Sequence, residues 1–175
     1  MHRVFLISFI PLLLSSCFSK ENNFNKNKNG AFTCSMTAIN KSQSSCEGIQ
    51  FKHTVPISFG KLESSIEKPE SPLHGLVFLI NKTSSCGETE DYFPVAIASI
   101  NSENNSDYII IGMPCDPEYN PKEITDFFNF QLAHSRSMKS IEKWIEQEYN
   151  QEWLVTRWEN DKKAKDYIDR LGIKF

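Results

Sequence analysis

The side chains best suited to acid–base chemistry in this sequence are two histidines, His74 and His134, and two carboxylates, Asp116 and Glu118. A histidine beside a carboxylate can accept or donate a proton near neutral pH, as many hydrolases require. Asp116 and Glu118 follow an apolar segment that ends at Met113, and carboxylates beyond a strand end can bind ligands. These residues define a candidate hydrolase site if the fold brings a histidine and a carboxylate into one cleft.

Each of these residues also has a structural interpretation. An aspartate before proline favours a turn, so Asp116 is expected to shape the loop that carries Glu118. His134 is expected near the end of a helix, where its positive charge is stabilised by the helix dipole. The chain has no Gly-x-Ser-x-Gly motif, phosphate-binding glycine-rich loop or dinucleotide fingerprint. The sequence therefore favours the structural interpretation over catalysis.

Composition excludes several kinds of partner and cofactor. The chain has a formal net charge of -3 and no cluster of Lys and Arg, so nucleic-acid binding is not predicted. There is no Cys-x-x-Cys pair, and no histidine lies at ligand spacing from a second histidine or a cysteine. Neither a metal nor another cofactor is therefore predicted.

The N-terminus has the pattern of an exported protein. Arg3 precedes an apolar run over 4–14 that is too short to cross a bilayer as a helix. The run ends in LSSC, whose Cys17 gives the segment a form that resembles the lipobox of bacterial lipoproteins. The resemblance implies cleavage before Cys17 and attachment of lipid there, so the membrane would be a partner. The next residue is Phe18 rather than the aspartate of inner-membrane lipoproteins, which implies the outer membrane and a periplasm-facing domain. The alternative is an ordinary signal peptide with a chance cysteine.

Four further cysteines suggest disulfide bonds, because exported chains meet an oxidising compartment. They allow three pairings, and the sequence alone does not select one. We favour two bonds, Cys34–Cys46 and Cys86–Cys115. The first would close a short loop, and the second would join loops that follow two strands.

The sequence predicts a signal peptide over 1–16, a flexible Asn- and Lys-rich tether over 17–31, and a single globular domain over 32–175. Apolar runs over 95–100 and 108–113, joined by a polar segment, predict a hairpin. The last third changes to helical periodicity. The predicted fold class is α+β, with a mainly antiparallel sheet and about three helices packed on it.

Three polar residues, Asn120, Ser137 and Asn160, are predicted to cap these helices. The expected apolar stripe of the first helix consists of Ile124, Phe127, Phe128 and Leu132. Phe130 falls on the opposite side, so either that helix is covered on both sides or Phe130 is exposed.

An exposed Phe130, beside the charged Asp126 and Arg136, would suit a protein-binding surface. Because no catalytic motif is present, the favoured function is recognition of another protein by a lipid-anchored periplasmic domain. Such a domain could be an immunity protein against a periplasm-delivered toxin, or an accessory subunit of an envelope machine. The alternative is a small envelope hydrolase that uses His74 or His134 with Asp116 or Glu118.

Overall fold

Strand β3, Leu76–Ile80, is buried at every position because it separates two hydrophobic cores. Val77 and Leu79 belong to one core, whereas the alternate residues Leu76, Phe78 and Ile80 belong to the other. A continuous apolar run is the sequence pattern that such a position requires. The structure, a computed structural model, describes residues 31–37, 49, 54–62, 71, 73–82 and 86–171.

The described residues form six strands and two helices. In chain order these are β1 (Phe32–Met36), β2 (Ile57–Lys61), β3 (Leu76–Ile80), β4 (Thr89–Asn101), β5 (Ser106–Pro114), α1 (Phe127–Glu148), β6 (Leu154–Asn160) and α2 (Asp161–Arg170). The sheet order is β1-β2-β3-β5-β4-β6. Strands β4 and β5 form the predicted hairpin.

Five of the strands close into a barrel because β1 pairs with both β2 and β4. Strand β6 pairs with the C-terminal half of β4 and extends the sheet there. Strand pairing within the described part of the chain is antiparallel except between β3 and β5, which are parallel. Side chains from β1, β3, β4 and β5 fill the barrel, and Ile168 of α2 joins this core.

Helix α1 covers the outer face of the sheet. Its buried apolar side chains Phe130, Met138, Ile141 and Ile145 pack in one cluster with residues of β2, β3, β4 and β5. The spacing of this stripe is helical and continues across a kink at His134, whose backbone is not helical. The helix and the barrel wall together bury the second core.

The α+β class is confirmed, but the prediction of about three helices is wrong for the described residues. Ser137 does not cap a helix, because it lies buried inside α1. Helix α1 is capped by Asp126, whose carboxylate accepts a hydrogen bond from the Asn129 backbone N–H at 3.0 Å. Asn120 instead closes a preceding turn by accepting a bond from Ile124 N at 2.9 Å. Asn160 caps α2 as predicted.

The two predicted disulfide pairings are also wrong. Cys34 and Cys115 are free thiols, so neither Cys34–Cys46 nor Cys86–Cys115 forms. Cys34 is buried in the barrel, and the Cβ that a side chain at Gly60 would add meets its sulfur. Cys86 is disulfide-bonded, and its partner is neither of the two free cysteines.

Cys46 and Cys17 lie outside the described residues, as do the predicted signal peptide and nearly all of the tether. Those predictions stay predictions. No helix of the described chain is both long enough and apolar enough to span a bilayer.

The structure corrects part of the apolar stripe predicted for the first helix: Ile124 and Phe127 contact the core as expected, but Phe128 and Leu132 are exposed. Phe130 is 0% exposed, whereas Phe128 is 68% exposed. We therefore expect Phe130→Ala to lower the free energy of unfolding by about 3–5 kcal/mol, because it leaves a cavity in the outer core. The matched control Phe128→Ala should change it by less than about 0.5 kcal/mol. Urea denaturation measures both, and equal losses for the two variants would contradict this placement of α1.

Candidate active site

The parallel pairing of β3 with β5 brings a histidine and a carboxylate together at one end of the barrel. Val77 is the register partner of Ile110. Three residues before these partners stand His74, in the turn that precedes β3, and Asp107, near the start of β5. Both residues lie at the N-terminal ends of their strands, which in a parallel pair occur at the same edge of the sheet.

His74 and Asp107 form a buried pair. His74 Nδ1 lies 3.0 Å from Asp107 Oδ2 and 3.2 Å from Oδ1. The residues are 8% and 2% exposed, respectively. Since the carboxylate accepts, Nδ1 carries the proton, and the Nε2 atom of a neutral imidazole is left with its lone pair.

A tight turn positions His74 immediately before β3. The His74 N–H donates to the Ser71 carbonyl at 3.2 Å, and Gly75 follows with φ +70. This left-handed conformation suits glycine, which has no Cβ. The Gly75 carbonyl accepts a bond from Leu62 N at 2.9 Å, which fixes the turn to the end of β2.

Asp107 is held by two further donors. The Tyr167 hydroxyl of α2 donates to Oδ1 at 3.1 Å, and the Tyr108 backbone N–H donates to the same oxygen at 2.8 Å. The two tyrosine rings lie 4.9 Å apart. Burial of Tyr167, and then the negative charge of Asp107, raise the pKa of its hydroxyl far above the usual range. Tyr167 therefore stays protonated and acts as a donor at all ordinary pH values.

Two polar atoms at this site are buried without a hydrogen-bond partner among the described residues: His74 Nε2 and Ser71 Oγ. An unsatisfied buried polar atom costs about 1–3 kcal/mol, so each one requires an explanation beyond stability. An imidazole oriented by a carboxylate through Nδ1, with Nε2 open, is the arrangement of a general base. The geometry can therefore remove a proton from a hydroxyl or a water.

A small cavity borders the same cluster. It has a volume of about 210 Å³ and lies between α2 and the barrel wall, lined by Ile97, Tyr108, Lys163, Tyr167, Arg170 and Leu171. The lining combines aromatic and aliphatic side chains with two cationic ones, Lys163 and Arg170. Such a cavity favours an anionic ligand over a cationic one.

The described residues contain no group of three or more His, Cys, Asp or Glu side chains that could hold a metal ion. The Asp107 oxygens that contact His74 are already engaged by protein donors. What the described residues offer at this site is proton transfer through His74.

Of the four residues predicted to be catalytic, only His74 belongs to the buried histidine–carboxylate pair. His134 lies at the kink of α1, where its ring stacks on Phe130 at 5.5 Å. Burial, and then the positive charge of Lys122, lower its pKa. Asp116 accepts a bond from the Glu118 N–H at 2.9 Å within an exposed turn. The predicted carboxylates therefore shape a loop, and Asp107 takes the role expected of them.

The predicted protein-binding residues do not form an exposed aromatic surface. Phe130 is fully buried, and Asp126 is the N-cap of α1. Hydrogen bonds from Asn129 lower the pKa of the Asp126 carboxyl, as expected of a cap. Arg136 is exposed. The expected exposure of Phe130 is wrong because α1 begins later than expected and buries this side chain against the barrel wall.

Sequence reasoning missed Asp107 and Tyr167 as site residues. Asp107 ends a polar connection and has no motif around it, and no motif surrounds Tyr167 either. The signal that unites them is the β3–β5 register, which depends on a strand order that local patterns do not encode.

We expect Asp107→Asn to lower the free energy of unfolding by about 2 kcal/mol or more. The carboxylate accepts hydrogen bonds from three donors, and the amide NH₂ of asparagine cannot accept the bond at its position. Asp116→Asn is the matched control, since Asp116 is exposed and accepts one backbone bond; its effect should stay below about 1 kcal/mol. Urea denaturation compares the two. Similar midpoints for both variants would show that the His74–Asp107–Tyr167 network does not hold the fold together.

No protein-family model and no curated protein matches the chain by sequence. Solved structures match it well in shape. The inorganic pyrophosphatase of Neisseria gonorrhoeae is 11% identical with a TM-score of 0.59, over 85% of this chain and 94% of the other. That of Helicobacter pylori is 13% identical with a TM-score of 0.59, over 81% and 91%. That of Coxiella burnetii is 16% identical with a TM-score of 0.59, over 80% and 92%.

These neighbours correct the predicted function. Recognition of another protein, whether as an immunity protein or as an envelope-machine subunit, is wrong as the function, because the consistent structural likeness is to inorganic pyrophosphatases. The comparisons give no support to the predicted outer-membrane lipoprotein either. At identities this low the likeness establishes the fold, and the fold is that of the inorganic pyrophosphatases.

Proposed function

We propose that this chain is a hydrolase that cleaves a phosphoanhydride bond, with His74 as general base and Asp107 as the residue that orients it. Two independent lines support the proposal. The fold is shared with proteins named as inorganic pyrophosphatases over most of both chains. The site contains a carboxylate-held imidazole at the end of two parallel strands.

The observation that carries the proposal is the state of His74. Nδ1 is bonded to a buried carboxylate, while Nε2 is buried and has no partner among the described residues. A histidine that only stabilises the fold would be expected to use both nitrogens. A ring nitrogen without a hydrogen-bond partner is what a proton acceptor needs. No other role for Nε2 follows from the contacts of the described residues.

The proposed chemistry follows from these positions. His74 Nε2 removes a proton from the attacking oxygen as that oxygen bonds to phosphorus, and the bridging P–O bond breaks. Asp107 stabilises the imidazolium that forms, without taking the proton itself. Lys163 and Arg170, which line the cavity beside Tyr167, supply positive charge for a phosphate group.

Phosphoanhydrides carry several negative charges, and many phosphoryl-transfer enzymes neutralise these with Mg²⁺. The described residues offer no cluster of ligands for such an ion, so no step of this proposal passes through a metal. Assays with added Mg²⁺ and with a chelator will establish whether the substrate must arrive as a magnesium complex.

We expect the purified chain to release orthophosphate from inorganic pyrophosphate, and His74→Gln to lower kcat by about 10²–10⁴-fold because the general base is lost. His134→Gln is the matched control: its ring is partly buried but stacks on Phe130, away from Asp107. Its kcat should equal that of the parent. Circular dichroism of all three proteins verifies that each is folded.

Two results would refute this function. One is a folded parent protein that hydrolyses neither inorganic pyrophosphate nor a nucleoside diphosphate or triphosphate. The other is a His74→Gln variant that retains the parent rate. A loss of activity in His134→Gln alone would move the site to α1.

We keep acylation of Cys17 as a separate proposal, based on the leader pattern. The disulfide at Cys86 is in agreement with it, because disulfides persist mainly outside the reducing cytosol. Lipid at Cys17 would place the hydrolase on the membrane surface of an oxidising compartment. The structural likeness supports the proposed enzyme activity and carries no information about where the protein is located.

Intact mass of protein purified from bacterial membranes tests this proposal. We expect a chain that begins at Cys17 and carries the added mass of fatty-acyl groups, because the peptidase of the class cuts before the lipidated cysteine. Cys17→Ser should leave the protein in the soluble fraction with its leader uncleaved. A parent protein that begins elsewhere and has no added hydrocarbon would contradict the acylation.

A further inference from the structure

Three buried side-chain atoms have no hydrogen-bond partner among the described residues: Ser71 Oγ, His74 Nε2 and Tyr92 OH. Tyr92 lies within the barrel core, among apolar side chains. The other two atoms belong to residues of a single turn. A hydroxyl and an imidazole nitrogen that are both unsatisfied and so close in the chain suggest a shared use.

The turn places these two residues near each other. The bond from His74 N to the Ser71 carbonyl, 3.2 Å long, makes them the first and last residues of a β-turn. Residues in these positions have Cα atoms within about 7 Å. Ser71 and His74 are each 8% exposed, so both side chains are more than nine-tenths buried. The two atoms are not hydrogen-bonded to each other, and contacts of this kind commonly tighten when substrate binds.

We propose that Ser71 is the nucleophile of the hydrolase, so that Ser71, His74 and Asp107 act as a triad and the reaction passes through a phosphoserine. This inference rests on the proposed phosphoanhydride hydrolysis and adds to it the identity of the attacking oxygen. Triads of this kind are recognised by their geometry and roles, not by their order in the sequence.

In the first step Ser71 Oγ bonds to the terminal phosphorus while its proton passes to His74 Nε2. The bridging P–O bond breaks, and orthophosphate leaves with the proton from the imidazolium. In the second step a water gives its proton to Nε2 and attacks the phosphoserine. The P–Oγ bond breaks, and Oγ regains the proton, so that one water has been consumed and two phosphates have formed.

The first experiment compares Ser71→Ala with Ser137→Ala, a buried serine within α1. Because Ser71 Oγ has no partner among the described residues, its removal should leave the thermal midpoint unchanged or higher. We expect kcat for pyrophosphate to fall by about 10³-fold or more, as for other triad nucleophiles. Ser137→Ala should retain the parent kcat. A Ser71→Ala variant with the parent kcat would overturn the proposal.

The second experiment detects an activated serine without relying on pyrophosphate turnover. A fluorophosphonate forms an Oγ–P bond with an activated serine and releases fluoride. We expect mass spectrometry to locate the adduct on Ser71 in the parent protein, and to find none in Ser71→Ala or His74→Gln. An adduct on another residue, or none in the parent, would overturn the serine's role.

The outcomes distinguish failure of the Ser71 proposal from failure of the proposed phosphoanhydride hydrolysis. If His74→Gln abolishes pyrophosphate hydrolysis while Ser71→Ala does not, the hydrolase stands and water attacks phosphorus directly. If Ser71 labels with the fluorophosphonate but no phosphoanhydride is cleaved, the triad stands with a different substrate, and the phosphoserine step proposed here is overturned.

Discussion

The parallel alignment of β3 and β5 is the constraint on which the site depends. A hairpin joins β4 to β5, and β5 lies between β4 and β3 in the sheet. The chain therefore enters β3 and β5 from the same end of the barrel, and His74 and Asp107 precede the paired residues by the same offset. In an antiparallel arrangement the N-terminal ends of the two strands would lie at opposite edges, and the histidine would have no buried carboxylate.

Helix α2 completes both the core and the site. Its Ile168 packs into the barrel core, and the neighbouring Tyr167 donates to Asp107. The buried carboxylate would be costly without such donors, since an unpaired charge in a low-dielectric interior loses its hydration. The same hydrogen bonds fix the direction in which the carboxylate presents its oxygens to His74. Core packing near the C-terminus and orientation of the candidate base are thus physically coupled.

Local patterns in the sequence predicted the elements whose cause is local. The Asn160 cap and the β4–β5 hairpin follow from capping preference and periodicity. In the first helix, Phe128 and Leu132 were assigned to the buried side in place of Phe130 because they match the helical period as well as Phe130 does. The barrel wall decides between them, and it is assembled from strands far away in sequence.

The site was beyond local reasoning for a related reason. Nothing around Asp107 distinguishes it from the other polar residues of its connection, and its role appears only with the β3–β5 pairing. The disulfide prediction was wrong for a different reason. An even number of cysteines suggested that all of them pair, but Cys34 fills the barrel interior opposite Gly60. A buried thiol used as a small apolar side chain is indistinguishable in sequence from one half of a disulfide.

A carboxylate near a substrate of high negative charge needs an explanation, because the two would repel each other in a dry site. Here the Asp107 oxygens are directed towards three donors: the His74 ring, the Tyr167 hydroxyl and the Tyr108 backbone N–H. Its charge is thus compensated from within the protein. Within this pair, the atom without a hydrogen-bond partner among the described residues is Nε2 of His74. An anion can approach that atom with less repulsion, and the carboxylate acts on it only by stabilising the imidazolium once a proton has moved.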